Sequence, residues 1–255
     1  MSMTDLQGAL RNLKSRLGLI FLKAGTEWED MDYSEIEYLY SLGEKKIPML
    51  VKISGPEAKT DLRHLEAIGV TGLLGPMIES EYALEKFVAT TTDLYDDSPL
   101  DPMLAINIET IDGYRKLDAI MSNPAFGAVR LVIIGRLDLS QSMHIEDVDH
   151  PEVTTITRDL ANRLRRAGKH VSIGGFVNPS SADALRDVDA DRVNTLHALF
   201  DLNRIGDASA AVRKAIEFEI AYYDSLLPIN PTREAFYRSR MEISRKKLEK
   251  ANART

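Results

Sequence analysis

The chain alternates short apolar runs with longer amphipathic segments, and few architectures accommodate that alternation repeated along a single chain. The runs are LGLIFLK from Leu17, IPMLVKI from Ile47, TGLLGPM from Thr71, MLAINIE from Met103, AVRLVII from Ala128, HVSIGGF from His170 and DRVNTL from Asp191. Their length and β-branched content suit strands buried on both faces. Between them, residues 33–42, 57–68, 80–88, 110–121, 151–167 and 180–187 carry helical spacing. Ser80, Pro151-Glu152 and Asn178-Pro179-Ser180 supply helix-start signals. Strand then helix, repeated, predicts a parallel sheet covered by helices.

The repeat predicts an α/β fold, a (β/α)8 TIM-type barrel over residues 1–227, followed by a C-terminal helical extension at 228–255. Seven strands are legible, and an irregular or missing first strand accounts for the eighth. The competing architecture is an open doubly wound sheet, which would place a glycine-rich phosphate loop after its first strand. Lys23-Ala24-Gly25-Thr26-Glu27 has one glycine and no such pattern. The paired Gly174-Gly175 is a weak signal that close packing explains equally well.

Composition removes several classes of function. At 255 residues and 44% hydrophobic the chain can bury one large core. It has no cysteine, which excludes disulfides, thiolate nucleophiles and Cys-ligated metal centres. The net charge of -7 argues against binding a nucleic-acid backbone. No apolar run reaches the roughly 18 residues of a membrane span, and MSMTDLQGALRNLKSRLG lacks a signal peptide's apolar core. The expectation is a soluble, cytoplasmic protein that engages neither membrane nor nucleic acid.

A barrel places its chemistry at the C-terminal ends of the strands. The residues closing the apolar runs are Glu27 and Trp28, Lys52, Glu79, Glu109, Arg136 with Asp138, and Asn178. Glu27 and Glu79 read equally well as solvated loop charges. Glu109, in LAINIET, and Asp138, in VRLVIIGRLDLS, lie beside long buried runs where an unpaired charge is costly. Together they suggest a divalent-metal site. Hard oxygen ligands favour Mg2+ or Mn2+.

The stretch LVKISGPEAKTDLRHLEAIGVTGLLGPMIESEYAL, then NIETIDGY, IIGRLDLSQSM and HPEV, resembles the HpcH/HpaI aldolase and citrate lyase beta-subunit family, from about Glu27 to Leu202. The resemblance implies a phosphoenolpyruvate/pyruvate-type barrel that makes or breaks carbon-carbon bonds beside a metal-bound 2-oxo acid or enolate. It implies that Glu109 and Asp138 are the metal ligands, with Asn107 where aldolases of the family often have a glutamine. Lys52 falls where the family usually has an arginine that steadies the enolate, an exchange that keeps the charge and loses the bidentate fork. Trp28 stands at the family's histidine, removing a general acid/base, and Arg136 stands at a common proline.

The chemistry expected from this set is stabilisation of an enolate by the metal, with Lys52 and Arg136 adding positive charge. A metal-bound water could serve as base in place of the missing histidine, and Glu27 is the alternative proton carrier if burial and Trp28 raise its pKa. Trp28 and Asn107 would contact substrate, although Trp28 could equally fill the barrel mouth. A metal-dependent carbon-carbon lyase or aldolase acting on a small 2-oxo acid or related carboxylate is one reading. A citrate- or malyl-type ester lyase or a condensing enzyme is its near relative. The other reading is a homologue altered in catalysis that serves in binding or assembly. The five histidines form no ligand cluster in sequence; His144 reads as a surface residue and His150 as part of a helix-entry turn.

The C-terminal segment is basic, and Tyr237, Met241, Ser244 and Leu248 form a thin apolar stripe at helical spacing. The family resemblance implies homo-oligomers in which such helices pack across subunits.

Overall fold

The computed structural model describes residues 2–252. Among them, eight strands close into a barrel in sequence order: β1 (Leu19–Gly25), β2 (Met49–Lys52), β3 (Gly72–Gly75), β4 (Met103–Ile108), β5 (Val129–Gly135), β6 (His170–Gly174), β7 (Arg192–Asn194) and β8 (Ala198–Asp201). The helices are α1 (Met3–Arg16), α2 (Tyr33–Leu42), α3 (Lys59–Ile68), α4 (Glu81–Tyr95), α5 (Ile111–Arg115) and α6 (Leu117–Ser122). They continue with α7 (Arg136–Ser142), α8 (Pro151–Arg166), α9 (Pro179–Ala182), α10 (Ala208–Leu226) and α11 (Glu234–Asn252). Closure of the sheet rules out the open doubly wound alternative.

The irregular strand is the last one. β1 is a regular strand paired in parallel with β2, whereas β8 runs antiparallel to both β7 and β1. Residues 195–197 turn β7 directly into β8, where the Thr195 N–H donates to the Ala198 carbonyl at 2.8 Å. DRVNTLHALFD carries neither a helical segment nor a Gly/Pro turn signal between the two strands, so its apolar pattern reads as one strand.

Strand periodicity then dictates what faces inward. Leu50, Leu74, Ala105, Leu131, Ile133 and Leu199 fill the barrel. Their neighbours Met49, Val51, Leu73, Ile106, Val132 and Ile134 belong to the shell under the helices. Two residues beyond Leu50 is Lys52, beyond Ala105 is Asn107 and then Glu109, and beyond Ile133 is Gly135. An apolar plug therefore gives way to a polar layer at the C-terminal mouth.

At the N-terminal end, α1 starts on a Ser2–Asp5 capping box and buries Leu6, Leu10 and Leu13. At the other end, α11 packs on α10 and α9 of the same chain. Of the C-terminal stripe, Tyr237, Met241 and Ser244 are buried within the chain, so this face is spent inside the fold. The Tyr237 hydroxyl donates to the buried Glu35 carboxylate, and Arg233 pairs with Asp30 at 3.1 Å and Asp32 at 3.3 Å. These contacts tie α11 to α2, and the residue before α11 to the β1–α2 loop.

Candidate active site

A cavity of about 80 Å³ lies at the C-terminal mouth, and Trp28, Lys52, Asn107, Glu109 and Asp138 all line it. Glu109 follows β4 and is 3% exposed. Its Oε2 accepts from Asn107 Nδ2 at 2.6 Å, and its Oε1 accepts from the Met77 backbone N–H at 3.0 Å. Met77 adopts φ 48°, a left-handed conformation that costs a non-glycine residue about 1 kcal/mol. Gly135 makes the position possible, because a Cβ there would lie 2.7 Å from the Glu109 Cβ. Asp138 sits in the first turn of α7, immediately after β5, so neighbouring strands deliver the two carboxylates.

Lys52 is the cation at the centre. Its Nζ is 2.7 Å from Glu27 and 3.5 Å from Glu109. Burial alone would pull this ammonium's pKa down, but Glu109, Glu29 and Glu27 outweigh it and hold the pKa above the ordinary lysine value. Burial raises the Glu109 pKa, and the charge of Asp138 adds to it against the opposing pull of Lys52. Asp138 is likewise raised by burial, with Glu27 and Glu29 adding to the effect against Lys52. These two carboxylates remain short of positive charge. Beside them the Asn107 Oδ1 is buried without a hydrogen-bond partner.

Glu109 and Asp138, with the Asn107 amide beside Glu109, are hard oxygen donors of the kind that could hold a divalent cation. Among the described residues, no three His, Asp or Glu side chains gather closely enough to chelate an ion alone. Such an ion would draw the rest of its shell from substrate and solvent oxygens, as an open catalytic site requires.

Arg136 goes elsewhere. It is 2% exposed, but its guanidinium is 3.1 Å from Asp149 and donates to the Val148 and Gly175 carbonyls at 3.5 Å. Following Gly135, it falls on the outward parity of the strand and pins the loop after α7. Glu27 also differs from the buried acid envisaged for proton transfer. Its side chain is 28% exposed and paired with Lys52, and it accepts from the Trp28 backbone N–H at 2.8 Å. The Trp28 ring lies under the Arg240 guanidinium at 4.1 Å, held by α11. Glu79 accepts from the Thr110 hydroxyl, and Asn178 caps α9; neither lines the cavity. His144 is exposed, and His150 caps α8.

Three further charges face the cavity: Lys23, Glu29 and Lys247. Lys23 pairs with Glu29, and both are buried. Burial would raise the Glu29 pKa, but the ammonium groups of Lys23 and Lys52 hold it at about 2. The signal for Lys23 was present in the sequence, because it stands two residues after Phe21 and shares its inward parity. Glu29 depends on an irregular loop and on Gly25, where a Cβ would collide with its carboxylate. Lys247 arrives from α11, outside the barrel repeat.

The family model for HpcH/HpaI aldolase/citrate lyase matches residues 36–183. A hydroxypyruvate/pyruvate aldolase from Chromohalobacter salexigens is 33% identical over 84 residues, 32% of this chain and 31% of that protein's length. The matched segment thus spans under a third of the curated relative. An HpcH/HpaI aldolase from Desulfitobacterium hafniense superposes with a TM-score of 0.60 at 17% identity, covering 76% of this chain and 82% of the other. A citrate lyase from Burkholderia xenovorans LB400 has a TM-score of 0.59 at 16% identity, covering 95% and 87%. Citrate synthase SbnG has a TM-score of 0.52 at 15% identity, covering 70% and 86%. At these identities the solved structures speak to the fold.

Proposed function

The chain belongs to the HpcH/HpaI aldolase/citrate lyase family, and from that premise we propose that it is a divalent-metal-dependent carbon-carbon lyase acting on a small 2-oxo acid. The observation that carries the reading is the pair Glu109 and Asp138 just beyond the ends of neighbouring strands, undercompensated by the protein's own cations, with the Asn107 amide beside Glu109. These three groups would hold Mg2+ or Mn2+, which when bound stabilises negative charge developing on the 2-oxo oxygen.

The protein's own groups supply the remainder. In cleavage of a 4-hydroxy-2-oxo acid, a base takes the hydroxyl proton and the C3–C4 bond breaks. An aldehyde departs and its bonding electrons pass into the enolate of the remaining oxo acid. Return of the proton to C3 completes a redox-neutral reaction. Lys52, fixed between Glu27 and Glu109, places an ammonium where the enolate charge forms. Glu27, hydrogen-bonded to Lys52 and partly open to solvent, is assigned the proton. Trp28 and Asn107 wall the substrate. Arg136 acts indirectly, by securing the loop that follows Asp138.

The test is release of a 2-oxo acid from a panel of 4-hydroxy-2-oxo acids and short acyl esters, with and without Mg2+ or Mn2+. We expect turnover that chelator abolishes and that Glu109→Ala and Asp138→Ala each lose by about 100-fold or more. Turnover indifferent to chelator, or none across the panel, overturns the proposal.

A further inference from the structure

The roof of the cavity carries a charge for which the reaction above has no use. Lys247 reaches the cavity from α11 and is 6% exposed. Its Nζ stands 5.2 Å from the centre of the Phe176 ring. Among the described residues, no hydrogen bond or ion pair holds this ammonium. Burial pushes its pKa down, with Arg240 and Lys23 adding to the effect and the charge of Glu219 opposing them. Glu219 contributes at a distance, with its Oε1 accepting from the His197 backbone N–H at 3.0 Å.

A buried ammonium without a contacting anion is an expensive choice for a helix face. Of the other inward residues of α11, Tyr237 bonds Glu35, Arg240 donates to the Trp28 carbonyl and stacks on its ring, and Met241 and Ser244 are buried without carrying a charge. A methionine at position 247 would cover Phe176 equally well without the desolvation cost. Lysine is the exception on that face, and it points into the cavity that also holds Glu109 and Asp138.

We propose that Lys247 is a specificity-determining residue that binds an anionic group, carboxylate or phosphate-type, on the half of the substrate distal to the 2-oxo acid. This rests on the 2-oxo acid reading above. The head of the substrate engages the Glu109, Asp138 and Lys52 end, and the tail carries its charge toward the roof. Specificity for the tail is supplied by an element outside the barrel repeat.

Calorimetric titration of the full chain in saturating Mn2+ tests this with three probes that share a 2-oxo acid head: 2-oxoglutarate, 2-oxo-4-phosphonobutanoate and the neutral-tailed 2-oxopentanoate. We expect one or both anionic tails to bind about tenfold or more tighter than the neutral one, and which of them gains distinguishes carboxylate from phosphate. That ratio falls to about one in Lys247→Met, recovers in Lys247→Arg, and persists in Lys246→Met, which removes an exposed charge from the same helix. Thermal melts of each variant separate loss of recognition from loss of folding, and the Arg variant carries the test should Met unfold. Equal affinities in the native chain, or a ratio that survives Lys247→Met, overturn the assignment while the parent reading stands. Absence of binding by every probe overturns both.

Discussion

At the scale of single residues, Lys52 decides the electrostatics of the mouth. Removing it leaves Glu109 and Glu27 facing each other without their shared cation. Lys52→Met is expected to lower kcat by about 100-fold or more and to destabilise the fold by about 3 kcal/mol, measured by steady-state kinetics and urea titration. Lys52→Arg restores much of the stability because it restores the charge. A second residue sets the acid limit. His197 is buried, with its Nδ1 2.9 Å from the Lys23 carbonyl and its Nε2 2.9 Å from the Tyr223 hydroxyl. A carbonyl can only accept, so Nδ1 carries the proton and Nε2 accepts from tyrosine. Burial lowers its pKa from the ordinary histidine value despite the opposing charge of Glu219. The unfolded chain therefore binds this proton first, at about pH 6.5. The stabilising contribution is complete above that pH and is lost as pH falls below it, by up to about 1.4 kcal/mol per pH unit. Unfolding titrations between pH 7 and 5 should show this slope, and His197→Gln should flatten it.

At the scale of elements, what could be read from sequence follows the regularity of each element. Strands β1 to β6 are apolar runs bounded by helices, so periodicity locates them, and with them the strand ends that bear Lys52, Asn107, Glu109 and Asp138. β8 escapes because a three-residue turn joins it to β7. Arg136 reads as a site residue because it closes the apolar run of β5 and carries a positive charge. One residue of parity turns it from the cavity toward Asp149. Glu29 depends on loop conformation and Lys247 on where a terminal helix docks, and neither has a local sequence pattern to report it. The docking of α11 has a measurable strength. Met241 is 2% exposed in the core cluster, and Met241→Ala should cost about 2–5 kcal/mol. If the roof opens separately from the barrel, hydrogen exchange in residues 234–252 will accelerate before exchange in the strands.

At the scale of the whole molecule, the site is coupled to stability through whatever it binds. A cation that binds the folded chain at 100 times its dissociation constant adds about 2.7 kcal/mol, or about 5–10 °C in Tm for a protein of this size. Melts in Mg2+ and Mn2+ should show such a rise in the native chain and none in Glu109→Ala or Asp138→Ala. The same experiment reads the integrity of the donor set without any turnover, so it remains informative when the substrate is wrong. A rise that survives both substitutions would place the cation elsewhere on this acidic molecule.

The reversed last strand bears on how the molecule comes into being. β1 meets β8 through Leu19–Phe200 and Leu22–Ala198 pairs, so the barrel cannot shut until nearly four-fifths of the chain has been synthesised. Until then the outer edge of β1 exposes unpaired backbone, a template for mispairing. Contacts so distant along the chain slow folding. Residue 247 is later still, so a candidate site whose floor is laid down by residue 138 acquires its roof only once α11 has been synthesised. A nascent chain lacking α11 would hold Lys52, Glu109 and Asp138 under an open sky, and ribosome-stalled chains ending near residue 230 should be distinguishable from chains that include α11 by protease sensitivity of the β1–α2 loop.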